Sequence, residues 1–143
     1  MAQYDSTNIR ITDLETGFLF DYDLKTWEVL DEYEYDWGDD YYTKEFKVTD
    51  QENDYFLELE NDDELKIAFY QKISLLQIDA NLQKRIIAHD APPETLNYNG
   101  VTLHRTEESL GYFRNVRSSN WSKFVCWDFK SADGQHLLSI ERW

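Results

Sequence analysis

Cysteine is nearly missing from this chain: Cys126 stands alone, which excludes an internal disulfide and any metal site built on several thiolates. Proline and glycine are scarce, two and five residues, so the chain is neither a linker nor a low-complexity segment, and a Gly-rich phosphate loop has nothing to be made from. Basic residues are few. Fourteen Lys and Arg face 29 Asp and Glu, for a formal net charge of −15. Such a body repels nucleic acid and anionic lipid, because neutralising phosphates takes clustered cations. No apolar run approaches the about 20 residues that span a bilayer. The opening MAQYDSTNIRITD lacks the basic-then-apolar profile of a secretory signal, and the expectation is a reduced, cytoplasmic setting.

What is abundant is aromatic. Five Trp, ten Tyr and eight Phe make 16% of 143 residues, enough for the packed core of one domain and far above what disordered chains carry. Residues 1–13 read as a polar lead-in, and 14–143 as one β domain. From Gly17 onward, short aromatic runs alternate with polar corners: FLFDYD, KTWEVLDEYEY, YYTKEFKVT, YFLELE and ELKIAFYQKI. Such spacing is the pattern of an antiparallel meander. The middle departs from it. Leu75, Ile78, Leu82 and Ile86 recur at three- and four-residue steps, which predicts a helix within about 75–90, with Asp79 as N-cap and Ala91-Pro92-Pro93 as its stop.

After the prolines the β-pattern restarts, and it echoes the first half. LNYNGVTLHRTEE laid over FDYDLKTWEVLDE pairs Tyr98 with Tyr22, Thr102 with Thr26 and Glu108 with Glu32, and sets Asn97 and Asn99 on Asp21 and Asp23. WSKFVCWDFKSADGQHLLSIERW repeats the outline of KEFKVTDQENDYFLELE, Glu141 standing for Glu60. The expected architecture is therefore mainly β: two similar antiparallel meander halves, about 18–60 and 95–141, forming a sandwich or partly closed barrel, with one short connecting helix. Asp133-Gly134 is expected to make a two-residue hairpin turn, less tolerant of change than the longer DQEND corner.

Tyr98-Asn99-Gly100, an aromatic strand, and the closing Leu138-Ser139-Ile140-Glu141-Arg142-Trp143 resemble a bacterial domain-of-unknown-function family. Trp27, Asp36-Trp37-Gly38-Asp39 and Leu57-Glu58-Leu59-Glu60 are similar to its N-terminal half, so the resemblance covers about residues 14–143. Its members sit beside genes for polyamine synthesis, phage-shock-type membrane-stress proteins and small membrane proteins. No activity or catalytic residue is established for the family, so the resemblance carries over nothing catalytic.

The residues themselves hold no catalytic constellation. His89, His104, His136 and Cys126 fall on separate elements without ligand spacing, so neither a metal nor a cofactor is expected. No serine stands in a Gly-x-Ser-x-Gly elbow, and Cys126 within an aromatic strand reads as a buried inert thiol. Acidic corners rise above this background. Asp36, Trp37, Asp39, Asp40 and Tyr41 surround Gly38 in one turn, and Asn61, Asp62, Asp63 and Glu64 form another. Carboxylates beside an aromatic face are the chemistry of organic-ammonium recognition, although acidic turn tips are ordinarily just solvated. The expected function is a non-enzymatic interaction module with a protein partner, in the stress or membrane-homeostasis setting that the resemblance implies. The alternatives are a binder of polyamine-like cations at the acidic aromatic turns, or an acidic mimic that binds a basic protein. Direct nucleic-acid binding and membrane insertion are not expected.

Overall fold

The computed structural model describes residues 14–61 and 64–143. The 1–13 lead-in, Asp62 and Asp63 lie outside the described residues. Among the described residues there are nine strands: β1 Leu19–Tyr22, β2 Lys25–Asp36, β3 Tyr42–Thr49, β4 Asp54–Asn61, β5 Leu65–Tyr70, β6 Thr95–Tyr98, β7 Val101–Asn115, β8 Ser122–Ser131 and β9 Leu137–Arg142. A 3-10 turn at Leu75–Gln77 and one helix, α1 (Leu82–His89), separate β5 from β6. The chain is mainly β, with α1 the single α-helix among the described residues, and the strands are hydrogen-bonded in the order β5-β4-β3-β2-β7-β8-β9, with β1 beside β2 and β6 beside β7. Among the described residues that order ends at β5 on one side and at β9 on the other.

Two compact units divide the chain. One holds the residues up to Lys72 together with Phe113–Trp121; the other holds Ile73–Tyr112 and Ser122–Trp143. In the first unit Trp27, Val29, Phe46, Val48, Leu57 and Leu59 share one face of the strands, joined by Leu14, and Phe18, Phe20, Tyr55 and Phe69 pack against them. The register explains how β2 serves that face. Val29 pairs with Val48, but Asp31 pairs with Lys47, so Leu30 is the extra residue of a bulge. One inserted residue reverses the alternation. Trp27 and Val29 therefore point to the core, whereas beyond the bulge Tyr33 and Tyr35 point to the opposite face.

In the second unit α1 covers the corresponding face. Leu82 and Ile86 pack with Leu96, Leu103, Trp127, Phe129 and Ile140, and Leu75 and Ile78 join them from the 3-10 turn. The expected helix is thus shorter and starts later. The Asp79 carboxylate accepts from the Asn81 N–H at 2.8 Å and closes a turn of its own, so it does not cap α1.

The two halves share detail. Asp23 and Leu24 (φ 53° and 62°) link β1 to β2, and Asn99 and Gly100 (φ 50° and 78°) link β6 to β7. Positive φ at both central residues makes each a type I′ turn. Thr26 Oγ1 donates to Asp21 at 2.7 Å, and Thr102 Oγ1 donates to Asn97 at 2.9 Å, from matching register positions. Along β3, Thr43, Glu45, Phe46 and Val48 are buried; along β8, Phe124, Cys126, Trp127 and Phe129 are. Phe46 pairs with Leu57, and Trp127 with Ile140, so Glu58 rather than Glu60 stands where Glu141 does.

Two turn expectations change. The β8–β9 connection spans 132–136 instead of two residues. Asp133 accepts from Ser131 Oγ at 2.6 Å and from the Gln135 N–H at 3.0 Å, and Gly134 supplies φ 72°. The β3–β4 corner is the more tightly built. Asp50 accepts from the N–H groups of Glu52 (2.9 Å) and Asn53 (2.7 Å) and pairs with Lys25 at 3.1 Å, while Gln51 sits at φ 82°.

Candidate functional site

The acidic turn between β2 and β3 gathers its residues closely. Trp37 and Tyr41 close it (Trp37 N–H to Tyr41 carbonyl, 2.9 Å), and Gly38 donates to the Asp36 carboxylate at 2.9 Å. Gly38, Asp39 and Asp40 all take positive φ, and all three are exposed. The Trp37 indole is not a solvent-facing platform. It is half-buried, stacks on Tyr35 with ring centroids 5.5 Å apart, and donates to Thr43 Oγ1 at 3.0 Å. Trp121 is 38% exposed and lies under the Arg114 guanidinium at 4.9 Å. Of the second acidic corner, Glu64 is exposed, while Asp62 and Asp63 lie outside the described residues.

The unexpected group is Glu45. Simple alternation in KEFKV assigns it to solvent, yet it is 1% exposed. Its face of β2, β3, β4 and β5, opposite the core, is lined with rings: Tyr33 pairs with Glu45, Tyr35 with Thr43, and Phe56 with Tyr70. Phe113 stacks on Tyr33 at 5.1 Å and tilts against Tyr35 at 5.0 Å. Glu45 Oε2 accepts from the Tyr35 hydroxyl at 3.2 Å and from the Tyr70 hydroxyl. Among the described residues Oε1 has no hydrogen-bond partner; the Lys72 ammonium stands 3.6 Å away. That ammonium also lies over the Phe56 ring, 4.1 Å from its centroid. Burial raises the Tyr33 phenol above its usual range, helped by the negative charges of Asp31 and Glu45. A signal for this second buried face exists in the sequence. Tyr33 and Tyr35 have the same parity as Trp27 and Val29, but the bulge at Leu30 sends them to the other side.

The surface also carries two open hollows. One of about 490 Å³ lies along β6 and β7, lined by Glu94, Thr95 and His104–Glu108; within it Arg105 pairs with Glu94 at 3.8 Å, and Glu108 accepts from Trp127 Nε1 at 2.9 Å. The other, about 480 Å³, follows the β1–β2 hairpin from Asp21 to Thr26. Among the described residues, no group of three or more His, Cys, Asp or Glu could hold a metal ion, and no helix is long and apolar enough to cross a membrane. Cys126 is buried, and its thiol donates to the Asp128 carboxylate at 3.6 Å.

Strands with aromatic faces, acidic turns and a buried Glu45 carboxylate define a mainly β domain. The chain belongs to the family described as Domain of unknown function (DUF4178), which it matches over residues 15–143. An uncharacterized protein of Aquifex aeolicus (strain VF5) is 28% identical over 131 residues, covering 91% of this chain and 70% of that protein. No solved structure matches the chain.

Proposed function

We propose that this domain is a non-enzymatic interaction module of bacterial stress or membrane-homeostasis systems, and that it takes a basic, extended segment of a partner protein along the outer edge of β5. The setting rests on the family resemblance alone. The observation carrying the binding mode is the edge itself. β5 ends the strand order, and it leaves Leu65 41% and Ile67 51% exposed on the side where its partner residue Leu59 is buried. An added strand would continue the ladder and cover both side chains. The net charge of −15 selects a basic partner and speeds its approach. To test this, partners captured from the native host are mapped by hydrogen exchange on the complex. Protection of Leu65–Tyr70, lost in Leu65→Ser/Ile67→Thr and weakened by salt, is the expected result; protection confined to other strands refutes the assignment.

A second reading, a binder of polyamine-like cations, is favoured by one observation. The first unit already holds an ammonium, that of Lys72, between a carboxylate and an aromatic face. In the turn of Asp36, Trp37, Asp39, Asp40 and Tyr41, exposed Asp39 and Asp40 carboxylates stand beside the half-buried Trp37 and Tyr41 rings. Spermidine is then expected to raise the melting temperature more than sodium or magnesium chloride at matched ionic strength. Trp37→Phe with Asp39→Asn removes the excess if the turn carries the binding, and equal stabilisation by all three salts rejects this reading.

A further inference from the structure

We propose that Glu45, Phe56 and Tyr70 form a binding site for a primary ammonium group, and that Lys72 is its self-supplied occupant, displaced when an external ammonium binds. The inference rests on the cation-binding reading and moves its centre from the turn to the buried carboxylate.

Four observations carry it. Glu45 is 1% exposed, and its Oε1 lacks a hydrogen-bond partner among the described residues, a condition that buried carboxylates seldom tolerate. The Lys72 ammonium is near enough to neutralise it, at 3.6 Å, but beyond the about 2.7–2.9 Å of a charge-assisted hydrogen bond. The Phe56 ring supplies a π-face beneath the same ammonium, at 4.1 Å. The Lys72 side chain is 55% exposed, so it can swing into water without breaking into the core.

Lys72 is tethered two residues past the end of β5, and it meets the ring and the carboxylate at arm's length. An untethered R–NH₃⁺ has three donors and no such restraint, so it can approach Oε1 to bonding distance while keeping the Phe56 face. A quaternary ammonium has the charge but cannot donate. The chemistry is shared by a free alkyl diamine and by a lysine side chain of a partner protein.

The test titrates the ¹⁵N-labelled protein with butane-1,4-diamine and, separately, with Nα-acetyl-lysine methylamide at constant ionic strength, following the amides of Glu45, Phe56 and Tyr70. Lys72→Ala removes the tethered competitor and is expected to tighten binding of at least one of the two by about tenfold or more, as expected when a group held at millimolar effective concentration is deleted. Lys72→Gln serves as the second variant should Lys72→Ala fold poorly. Glu45→Gln is expected to abolish that binding in either background, and tetramethylammonium is expected to gain nothing from Lys72→Ala. A gain with the diamine identifies a free amine as sufficient; a gain confined to the lysine derivative identifies a protein lysine as the source. Affinity that is unchanged or weaker in both Lys72 variants, or insensitive to Glu45→Gln, overturns the proposal. Ammonium binding that ignores these residues but is lost in Trp37→Phe/Asp39→Asn overturns this site and leaves the cation-binding reading standing.

Discussion

Leu24 and Gly100 hold the same position in two matching type I′ turns, and this makes a paired experiment possible. Both lie in the left-handed region, at φ 62° and 78°. A side chain in that region costs roughly 1–2 kcal/mol, and glycine nothing. Leu24 is 105% exposed, so removing its side chain sacrifices no burial. Against the relief stands the greater freedom that glycine gives the unfolded chain, roughly 0.4–1 kcal/mol. Leu24→Gly is therefore expected to stabilise the protein by about 0.5–1 kcal/mol. The reverse change is equally clean, because a Cβ built on Gly100 meets nothing within 4 Å. Gly100→Ala is expected to cost about 0.5–1 kcal/mol through the backbone alone. Urea denaturation of the two variants, read from the midpoint at constant slope, measures both. If Leu24→Gly lowers the midpoint, or Gly100→Ala raises it, the backbone-strain argument for these turns is refuted.

Asp50 gives a pH signature. The Asn53 and Glu52 N–H groups, and then Lys25, hold its carboxyl down to about 2, so its contribution is fully present above the unfolded value near 4 and fades as pH falls through about 2. Asp50→Asn should lower the urea midpoint at pH 7, and the difference from the parent should vanish near pH 2. Glu32 has the opposite sign: burial raises its carboxyl, against the pull of Lys44, so the folded state prefers it protonated. Glu32→Gln is expected to raise the melting temperature at pH 7, with the gain shrinking to nothing below about pH 4. Phe46→Ala, at a site 0% exposed, should cost about 3–5 kcal/mol in the same denaturation assay.

The hairpins were legible because their signals are local. Asp23 and Asn99-Gly100 announce left-handed turns, and strand alternation around them follows from the pleat. The helix was half legible. Leu75, Ile78, Leu82 and Ile86 do share a core, but the Asp79–Asn81 hydrogen bond, a local competitor, splits the helical run in two. Asp133 departs from expectation for a similar reason. Asp-Gly is a good two-residue turn, yet Ser131 and Gln135 engage the Asp133 side chain and draw a longer loop around it. The burial of Glu45 is not legible in the sequence because it is decided by residues distant in the chain. Tyr35 precedes it by ten positions and Tyr70 follows by 25, and no window along the sequence brings them together. Of the turn chosen from sequence, Asp36, Trp37 and Tyr41 do converge, but the indole turns inward to Tyr35 and Thr43.

The division of β7 between two compact units bears on how such a domain can be inherited. The backbone leaves the first unit after Lys72, returns to it at Phe113 and leaves again after Trp121. No single cut frees either unit: a fragment ending at Lys72 forfeits Arg114, whose guanidinium pairs with Glu34 at 3.1 Å, and Arg117, the partner of Asp31. A gene fusion that transplants half of this domain delivers an unfinished unit, whereas one that moves the whole stretch delivers both. The stretch over which the family is recognised, 15–143, holds the strands of both units.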